Sequence, residues 1–247
     1  MLLANINGVR VEPSPKGIGL CPICGCEVYS KCGEINVWHW AHKVGDSCDS
    51  WHEKETKWHL NWKLTFGEEN IEVIIEKENK KHIADILTNE NVVIELQNSP
   101  IQKPIIRQRE LFYGEKMLWI INGSEFKHNF EFNKKGLANY SAIPNRNLTE
   151  AEIKITAHNY NLFNFKWKKP KRSWEEAKRP VFIDFGDENL YKVIQGIGNN
   201  FGQVSQIHKS KFIMKYGGNY EYYQKQNVFL NPIISNSPYT NYLTYHF

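Results

Sequence analysis

The sequence predicts an α+β or α/β protein. A central α-β-β-β-α-β unit follows a small cysteine-containing module and precedes an α+β extension. Three observations predict this arrangement: every cysteine lies within the first 48 residues, β-rich runs alternate with two helical patterns between residues 50 and 125, and short strand-like runs recur beyond residue 126. We therefore divide the chain into residues 1–49, 50–125 and 126–247.

Composition excludes several classes of protein. With 247 residues, 41% of them hydrophobic and 13% aromatic, the chain can bury a core and is not disordered. The net charge of +4 is modest, so nucleic-acid binding has to be argued from local surfaces. No run approaches the roughly 18 apolar residues of a membrane span, and the first residues lack signal-peptide features. We expect a cytoplasmic protein with no membrane partner.

The five cysteines form an odd, clustered set, which favours metal ligation in a reducing compartment over disulfide bonds. One half-site is Cys-Pro-Ile-Cys-Gly at residues 21–25, and the second is His-Trp-Ala-His at residues 39–42, followed by a further cysteine. Four-coordinate Zn²⁺ closed by cysteine and histidine suits this pattern. The preferred ligands are Cys21, Cys24, His42 and Cys48. Spacing leaves His39 as a competitor for a place, and a set of small buried thiols is the alternative.

The first helix is predicted over residues 51–66, with Ser50 as the N-cap and Gly67 as the stop. An apolar stripe at helical spacing indicates its buried face: Trp51, Trp58, Trp62 and Phe66. A row at i, i+4 and i+8 places a carboxylate, an imidazole and an ammonium along one edge: Glu55, His59 and Lys63. A solvated flank of ion pairs is the alternative for this row.

A strand at residues 71–76 is followed by an antiparallel hairpin made of residues 83–87 and 92–97. If the turn is a three-residue loop, Thr88 pairs with Val92 and Asp85 lies directly across from Glu95. Directly opposed carboxylates destabilise a strand pair, so a shared divalent cation is the simplest explanation for them among buried aliphatic residues. The alternative is a surface ion cluster with the lysines at positions 80 and 81.

A helix at residues 101–113 and a strand at residues 117–121 complete the central unit. Along the preceding strand, period two places Glu95 and Gln97 on the same face. Arg109 and Tyr113 lie one helical turn apart, where both could reach one phosphate. An ordinary amphipathic helix is the alternative for this pair.

These motifs, in this order, resemble the PD-(D/E)xK nuclease core and, more narrowly, the competence protein CoiA-like nuclease family. The resemblance covers roughly residues 16–125. The residues that carry it are the CPIC and HWAH half-sites, Glu55-x3-His59-x3-Lys63, Ile83-Ala-Asp85-Ile, Ile94-Glu95-Leu-Gln97 and Arg109-x3-Tyr113 followed by Leu118-Trp-Ile-Ile. It implies a restriction-endonuclease-like core behind a zinc module.

The resemblance also implies an activity: metal-dependent hydrolysis of phosphodiester bonds in DNA, during DNA uptake and recombination or in defence against foreign DNA. Asp85 and Glu95, with Glu55 in support, would hold Mg²⁺ or Mn²⁺ through oxygen ligands. The alternatives are a catalytically inactive nucleic-acid-binding accessory protein and a nuclease directed at RNA.

One position departs from the general nuclease pattern. Gln97 stands where that pattern has lysine, and an amide cannot take or give a proton usefully at neutral pH. We expect Lys63 or His59 to supply the missing positive charge or proton acceptor.

The extension contains a basic segment at residues 166–172, in which five cations surround Trp167. This composition suits phosphate contact combined with base stacking, and a solvated linker is the alternative. The candidate nucleic-acid contacts are Lys166, Lys168, Lys169, Lys171 and Arg172.

The rest of the extension is predicted as short strands at residues 130–132, 181–185 and 212–216, followed by an irregular, tyrosine-rich end. That end could mediate self-association or bind a partner protein. The sequence contains no Walker-type phosphate loop, so we expect no nucleotide cofactor.

Overall fold

The computed structural model describes residues 1–34, 37–43, 48–49, 51, 53–133 and 161–230. A small five-stranded sheet comes first in the chain. Its strands are β1 (Ala4–Ile6), β2 (Val9–Val11), β3 (Ile18–Leu20), β4 (Glu27–Lys31) and β5 (His39–His42), in the spatial order β2-β1-β3-β4-β5. All of its strand pairs are antiparallel.

A nine-stranded sheet forms the body of the molecule. Its strands are β6 (Ile71–Lys77), β7 (Lys80–Leu87), β8 (Val93–Gln97), β9 (Met117–Asn122), β10 (Phe130–Asn133), β11 (Leu162–Trp167), β12 (Val181–Asp184), β13 (Asn189–Gln195) and β14 (Phe201–His208). They lie in the order β10-β11-β14-β13-β12-β9-β8-β7-β6. The pairs β8–β9 and β9–β12 are parallel. Strands on both sides of residue 126 therefore share one sheet.

Within the described residues, four α-helices flank this sheet: α1 (Lys57–Leu64), α2 (Lys103–Tyr113), α3 (Lys209–Lys215) and α4 (Tyr220–Leu230). On one face, α2 contributes Ile106 and Tyr113 to a core with Trp119. On the other face, α1, α3 and α4 pack over a second core that contains Trp62, Phe212 and Tyr223. The predicted order α-β-β-β-α-β is observed for α1 to β9, in a mixed α and β structure. None of the described helices is both long and apolar enough to cross a membrane.

Three secondary-structure predictions are wrong. The tyrosine-rich end, predicted to be irregular, contains the helix α4 (Tyr220–Leu230), and residues 231–247 lie outside the described residues. The first helix begins at Lys57 rather than near residue 51, because the hydroxyl oxygen of Thr56 caps it by accepting from the main-chain N–H of His59 (3.3 Å). The predicted cap, Ser50, lies outside the described residues. Residues 212–216 lie in α3 and its C-cap instead of a strand, since a short apolar run does not separate helix from strand by its period alone.

A buried ion pair fixes α1 to the sheet. The indole N–H groups of Trp58 and Trp62 both donate to Asp184 Oδ2 at 3.0 Å, and Lys209 Nζ lies 2.8 Å from Asp184 Oδ1. Both charged side chains are at most 2% exposed. This contact sets the position of the helix that carries His59 and Lys63.

A second buried contact joins the residues before β1 to strand β6 of the large sheet. The main-chain N–H groups of Leu2 and Leu3 donate to the carboxylate of Glu72 at 2.7–3.0 Å. The side chains of both leucines pack in the same core as Trp62 and Phe66. The first residues of the chain therefore lie against β6, close to α1.

Candidate functional site

A cluster of three cysteines and one histidine lies in the N-terminal sheet and its following loop. The Sγ atoms of Cys21 and Cys48 are 3.5 Å apart, and His42 Nε2 lies 3.3 Å from Cys24 Sγ and 3.6 Å from Cys48 Sγ. A zinc tetrahedron with Zn–S of about 2.3 Å and Zn–N of about 2.0 Å has ligand–ligand edges of roughly 3.5–3.8 Å. All four ligand atoms lie within 4.8 Å of one another, so the cluster could bind zinc.

The geometry decides between the competing histidines. His39 Nδ1 lies 2.8 Å from the carbonyl oxygen of Val37, and His39 is not part of the cluster. Gly25 adopts a φ of 72°, as expected for the turn after the first cysteine pair, and the N–H of Ile23 points at Cys21 Sγ (3.4 Å). Burial works against ionisation of Cys24, but hydrogen bonds from the Cys26 backbone and from His42 lower the pKa of its thiol to about 6.

A second site lies where β7 and β8 separate. Ile86 pairs with Ile94 and Leu87 with Val93, and the N–H of Thr88 donates to the carbonyl of Val92, which confirms the predicted register. This register places Asp85 across from Glu95, where the ladder ends. Side chains replace the next ladder bonds: the N–H of Leu96 donates to Asp85 Oδ2 (2.9 Å) and that of Asp85 to Glu95 Oε1 (3.4 Å).

The segment before α1 inserts carboxylates into this fork. Asp49 Oδ2 accepts from the N–H of Ile83 on β7 (3.0 Å), and Glu53 Oε2 accepts from the N–H of Asn98 just beyond β8 (3.2 Å). Each acid therefore satisfies a main-chain donor that the separated strands leave unpaired.

The fork encloses a small, strongly acidic cavity of about 40 Å³, which is large enough for one or two water molecules or an ion. Its lining contains two cationic side chains, Lys63 and Arg109, and Met1, whose α-ammonium favours the ionised forms of Glu55 and Glu72. It also contains six carboxylates: Asp49, Glu53, Glu55, Glu72, Asp85 and Glu95. The side chains alone, six carboxylates and two cations, leave a formal charge of −4 with His59 taken as neutral, and the α-ammonium of Met1 reduces this to −3.

Both cationic side chains are already paired. Lys63 Nζ lies 3.0 Å from Glu55, 3.2 Å from Glu72 and 3.2 Å from Asp85. Burial alone would lower the pKa of Lys63, but these carboxylates, Glu55 foremost, raise it well above its ordinary value. Lys63 therefore stays charged and cannot act as a proton acceptor.

Arg109 forms an ion pair with Glu95, with its guanidinium 2.9 Å from Glu95 Oε2. The alternative of a surface ion cluster with the two lysines of β7 is wrong, because Lys81 pairs with Glu76 and Lys80 does not line the cavity.

The two central carboxylates differ electrostatically. Burial and then the neighbouring Asp85 raise the pKa of Glu95 to about 7. For Asp85, burial acts in the same direction, but Lys63 and His59 hold its pKa below the usual range. Burial also raises the pKa of Glu55. The cavity therefore contains more carboxylates than its cations can keep ionised at neutral pH.

His59 is a neutral acceptor at the edge of this cavity. Burial lowers its pKa, and its Nδ1 lies 2.8 Å from Thr56 Oγ1. If Nδ1–H donates to that hydroxyl, Nε2 is an acceptor; the imidazole also lies against the backbone of Leu96, and Glu53 Oε2 is 3.8 Å from Nε2. The described part of the chain leaves two buried acceptors unpaired here, Glu55 Oε1 and Gln97 Oε1.

Gln97 is fixed by a residue that the sequence did not suggest. Its amide N–H₂ donates to Glu53 Oε1 and to the carbonyl of Ser99 (3.0 Å). Both amide hydrogens are thereby used, so the lysine position of the general nuclease pattern presents an acceptor here. Glu53 also accepts from the hydroxyl of Ser99 (2.7 Å).

Asp49, Glu53 and Glu72 are the site residues that sequence reasoning missed. Glu72 has a φ of 48°, an unfavourable region for a residue with a side chain, and its carboxylate is held by two main-chain N–H groups and Lys63. For Glu53, the signal was its spacing of two residues from Glu55, which in an extended segment places both on one side.

Arg109 and Tyr113 lie inside the protein. They are 5% and 6% exposed, respectively. In addition to its pair with Glu95, Arg109 donates to the carbonyl of Trp51, and the hydroxyl of Tyr113 donates to the carbonyl of Ile83 (3.1 Å). The expectation that both contact a phosphate does not fit this burial. Their observed contacts position Glu95 and the strands around it.

The basic segment 166–172 lies at the opposite end of the sheet, on β11 and the residues after it. Trp167 is 1% exposed within the core, so base stacking on it is excluded. Lys168 pairs with Glu131 and Arg172 with Glu175, while Lys171 lies over the ring of Phe126. Lys166 and Lys169 are exposed.

Comparison with known families bears on the N-terminal part of the chain. Residues 20–50 match the model of the family described as "Competence protein CoiA, N-terminal domain". This segment is 31 of 247 residues and contains all four members of the cysteine–histidine cluster. The match confirms the resemblance to the CoiA-like family and includes only Asp49 among the residues of the fork. Comparisons with curated proteins and with solved structures give no significant match.

Proposed function

We propose that this protein is a metal-dependent nuclease that hydrolyses phosphodiester bonds in DNA. The observation that carries the proposal is the placement of Asp85 and Glu95 on one acidic cavity where β7 and β8 separate. The CoiA match of residues 20–50 supports a role in competence, that is, in processing DNA during uptake and recombination. Defence against foreign DNA would use the same chemistry.

The residues of the cavity fit a divalent cation. Asp85, Glu95 and Glu55 offer the oxygen ligands that Mg²⁺ and Mn²⁺ prefer, and Glu55 Oε1 has no partner among the described residues. Burial and the neighbouring Asp85 raise the pKa of Glu95 despite its pair with Arg109, so a further positive charge beside it would favour its ionised form. When bound, such an ion polarises a phosphate and lowers the pKa of a water molecule.

The remaining site residues supply the proton chemistry and the positioning. His59 is neutral, and with Nδ1–H donating to Thr56 its Nε2 can accept the proton of the attacking water. Gln97 offers its unpaired Oε1 to orient that water. Lys63 remains charged and holds Glu55 and Asp85 in place. In the N-terminal module, the cysteine–histidine cluster would hold a structural Zn²⁺.

A second candidate function is a nucleic-acid-binding protein that does not cut. Two observations favour it: Gln97 replaces the lysine of the general pattern, and Lys63 and Arg109 already pair with Asp85 and Glu95. Among the described residues, no group of three ligands beyond the cysteine–histidine cluster is gathered for a metal ion. An RNA-directed nuclease is a further alternative.

A cleavage assay separates these functions. Purified protein is incubated with plasmid, single-stranded DNA and RNA, each with Mg²⁺, with Mn²⁺ or with chelator. Cleavage of DNA should require metal and fall roughly 10³-fold in Asp85→Asn and Glu95→Gln, since a metal ion contributes several kcal/mol to the transition state. Glu76→Gln, an exposed glutamate on β6, is the matched control and should cut normally. Bound but intact DNA indicates the non-cutting protein, and cleavage of RNA alone overturns the choice of substrate.

A further inference from the structure

The charge of the catalytic cavity creates a requirement for a second site. Its carboxylates outnumber its cations, so its negative charge repels the phosphates of a nucleic acid, and one bound divalent ion does not cancel the formal charge of −3. The two cationic side chains in its wall are buried and paired with carboxylates. A substrate strand must therefore be held by a surface next to the cavity.

A groove of about 480 Å³ lies beside the cavity, and Trp51 lines both of them. The groove has the volume of a small-ligand pocket, which suits a few groups of a single strand and is too small for a duplex. The turn between β6 and β7 forms one wall with Lys77 and Lys80. The C-terminal end of α2 forms the other, with Phe112 and the 77% exposed Leu111.

Aromatic rings line the side of the groove that faces the cavity. The rings of Trp51 and His82 are stacked with centroids 3.3 Å apart, and Phe112 meets both edge-on at 5.6 Å and 4.7 Å. All three rings are partly exposed. Arg109 also lies over the ring of Trp51 (5.6 Å) and Lys77 over that of Phe112 (5.7 Å), so a nucleobase packs against the parts of the cluster that remain exposed. Such contacts carry little sequence preference, because every base presents a π-face.

The two lysines of the groove have different roles. Lys77 Nζ donates to the carbonyls of Phe112 (2.8 Å) and Tyr113 (3.1 Å), so it neutralises the end of α2. Lys80 is exposed and has no ion-pair partner among the residues that the structure describes. One carboxylate, Glu78, also lines the groove. Lys80 is therefore the cation that is free to meet a phosphate.

We propose that this groove binds a single-stranded segment of the nucleic-acid substrate adjacent to the bond that is cut. The bases lie against Trp51, His82 and Phe112, while Lys80 contacts a phosphate. This inference rests on the proposed nuclease function for its purpose, but strand binding in the groove can be measured without cleavage.

Two adjacent lysines of β7 give a matched test. Lys80 and Lys81 point to opposite faces of the strand, and Lys81 pairs with Glu76 outside the groove. Binding of a fluorescent oligothymidine is measured over a range of salt concentrations in an Asp85→Asn background, which prevents cleavage. Lys80→Gln should weaken binding about threefold to tenfold and reduce the slope of log K against log salt by about 0.7, the loss of one phosphate contact on a single strand. Lys81→Gln should leave the slope unchanged.

Ultraviolet crosslinking of the oligothymidine locates the bases directly. Crosslinked peptides should contain Trp51, His82 or Phe112. Equal slopes for the two lysine variants, or crosslinks confined to residues 166–172, would contradict the proposal that the groove binds the strand. The outcomes separate the two proposals. If the protein cuts DNA and the two lysine variants have equal slopes, the nuclease function is supported and strand binding in the groove is contradicted. If Lys80→Gln reduces the slope but no metal supports cleavage, strand binding in the groove is supported and the nuclease function is contradicted.

Discussion

At the scale of single residues, the environment of Glu95 explains why the cavity should take a cation. Its carboxylate is 2% exposed, lies beside Asp85 and has Arg109 as its cationic partner. Burial of an ionised carboxylate is unfavourable, and a second carboxylate adds to the cost. A divalent ion would relieve both effects at once.

The raised pKa of Glu95 predicts how metal binding depends on pH. Below its pKa of about 7, Glu95 carries a proton that a cation must displace, while Asp85 is already ionised. The affinity for Mn²⁺ should therefore rise about tenfold per pH unit below pH 7 and level off above it. Titration calorimetry at several pH values checks this, with Glu95→Gln as the control. An affinity that does not change with pH would contradict the assignment.

Lys63 is expected to be essential for stability. Its ammonium group is buried among Glu55, Glu72 and Asp85, so Lys63→Met leaves three carboxylates without their cation. The free energy of unfolding should fall by about 3–5 kcal/mol. Lys81→Met breaks an exposed pair and should change it by less than about 0.5 kcal/mol. Urea denaturation compares the two variants, and equal effects would show that Lys63 does not neutralise the cluster.

Of the two glutamates before α1, Glu55 could be predicted from the sequence as a site residue and Glu53 was missed. A helical interpretation puts residues i and i+2 about 200° apart, so only Glu55 joined the predicted site. Residues 53–56 form no regular structure, and both glutamates line the cavity. Asp49 and Glu72 were not predictable, because tertiary contacts rather than a local pattern bring them to the fork.

At the scale of elements, the hairpin of β7 and β8 was predictable in its register and its central pair. The three-residue turn between Thr88 and Val92 fixes the pairing of the two strands, so Asp85 and Glu95 could be placed opposite each other. The separation of the strands beyond this pair was not predictable, because it depends on the carboxylates of the segment before α1. The start of α1 was missed since Trp51 continues the apolar stripe, although its ring packs on His82.

The zinc module gives a prediction at this scale. Metal analysis should find about one equivalent of Zn²⁺ per chain, lost together with solubility in Cys21→Ser or Cys24→Ser, because structural zinc contributes free energy of folding. Cys26→Ser and Cys32→Ser are the controls and should retain the metal, since neither belongs to the cluster. A well-folded protein that contains no zinc would contradict the assignment of structural zinc to this cluster.

At the scale of the whole molecule, one sheet connects the fork to the later strands. The parallel pairing of β12 with β9 extends the sheet past residue 126, and the buried pair of Asp184 with Lys209 holds α1 over it. The element order up to β9 followed from the sequence. The strand order beyond it did not, because β12 inserts beside β9 through contacts distant in the chain.

A crystal soaked with Mn²⁺ tests the central claim most directly, because the anomalous signal locates the ion. The predicted result is a peak bound by the carboxylates of Asp85 and Glu95, with Glu55 within reach. A map with no peak at the fork, in which Lys63 still pairs with Asp85 and Arg109 with Glu95, would contradict the claim that these carboxylates share a cation.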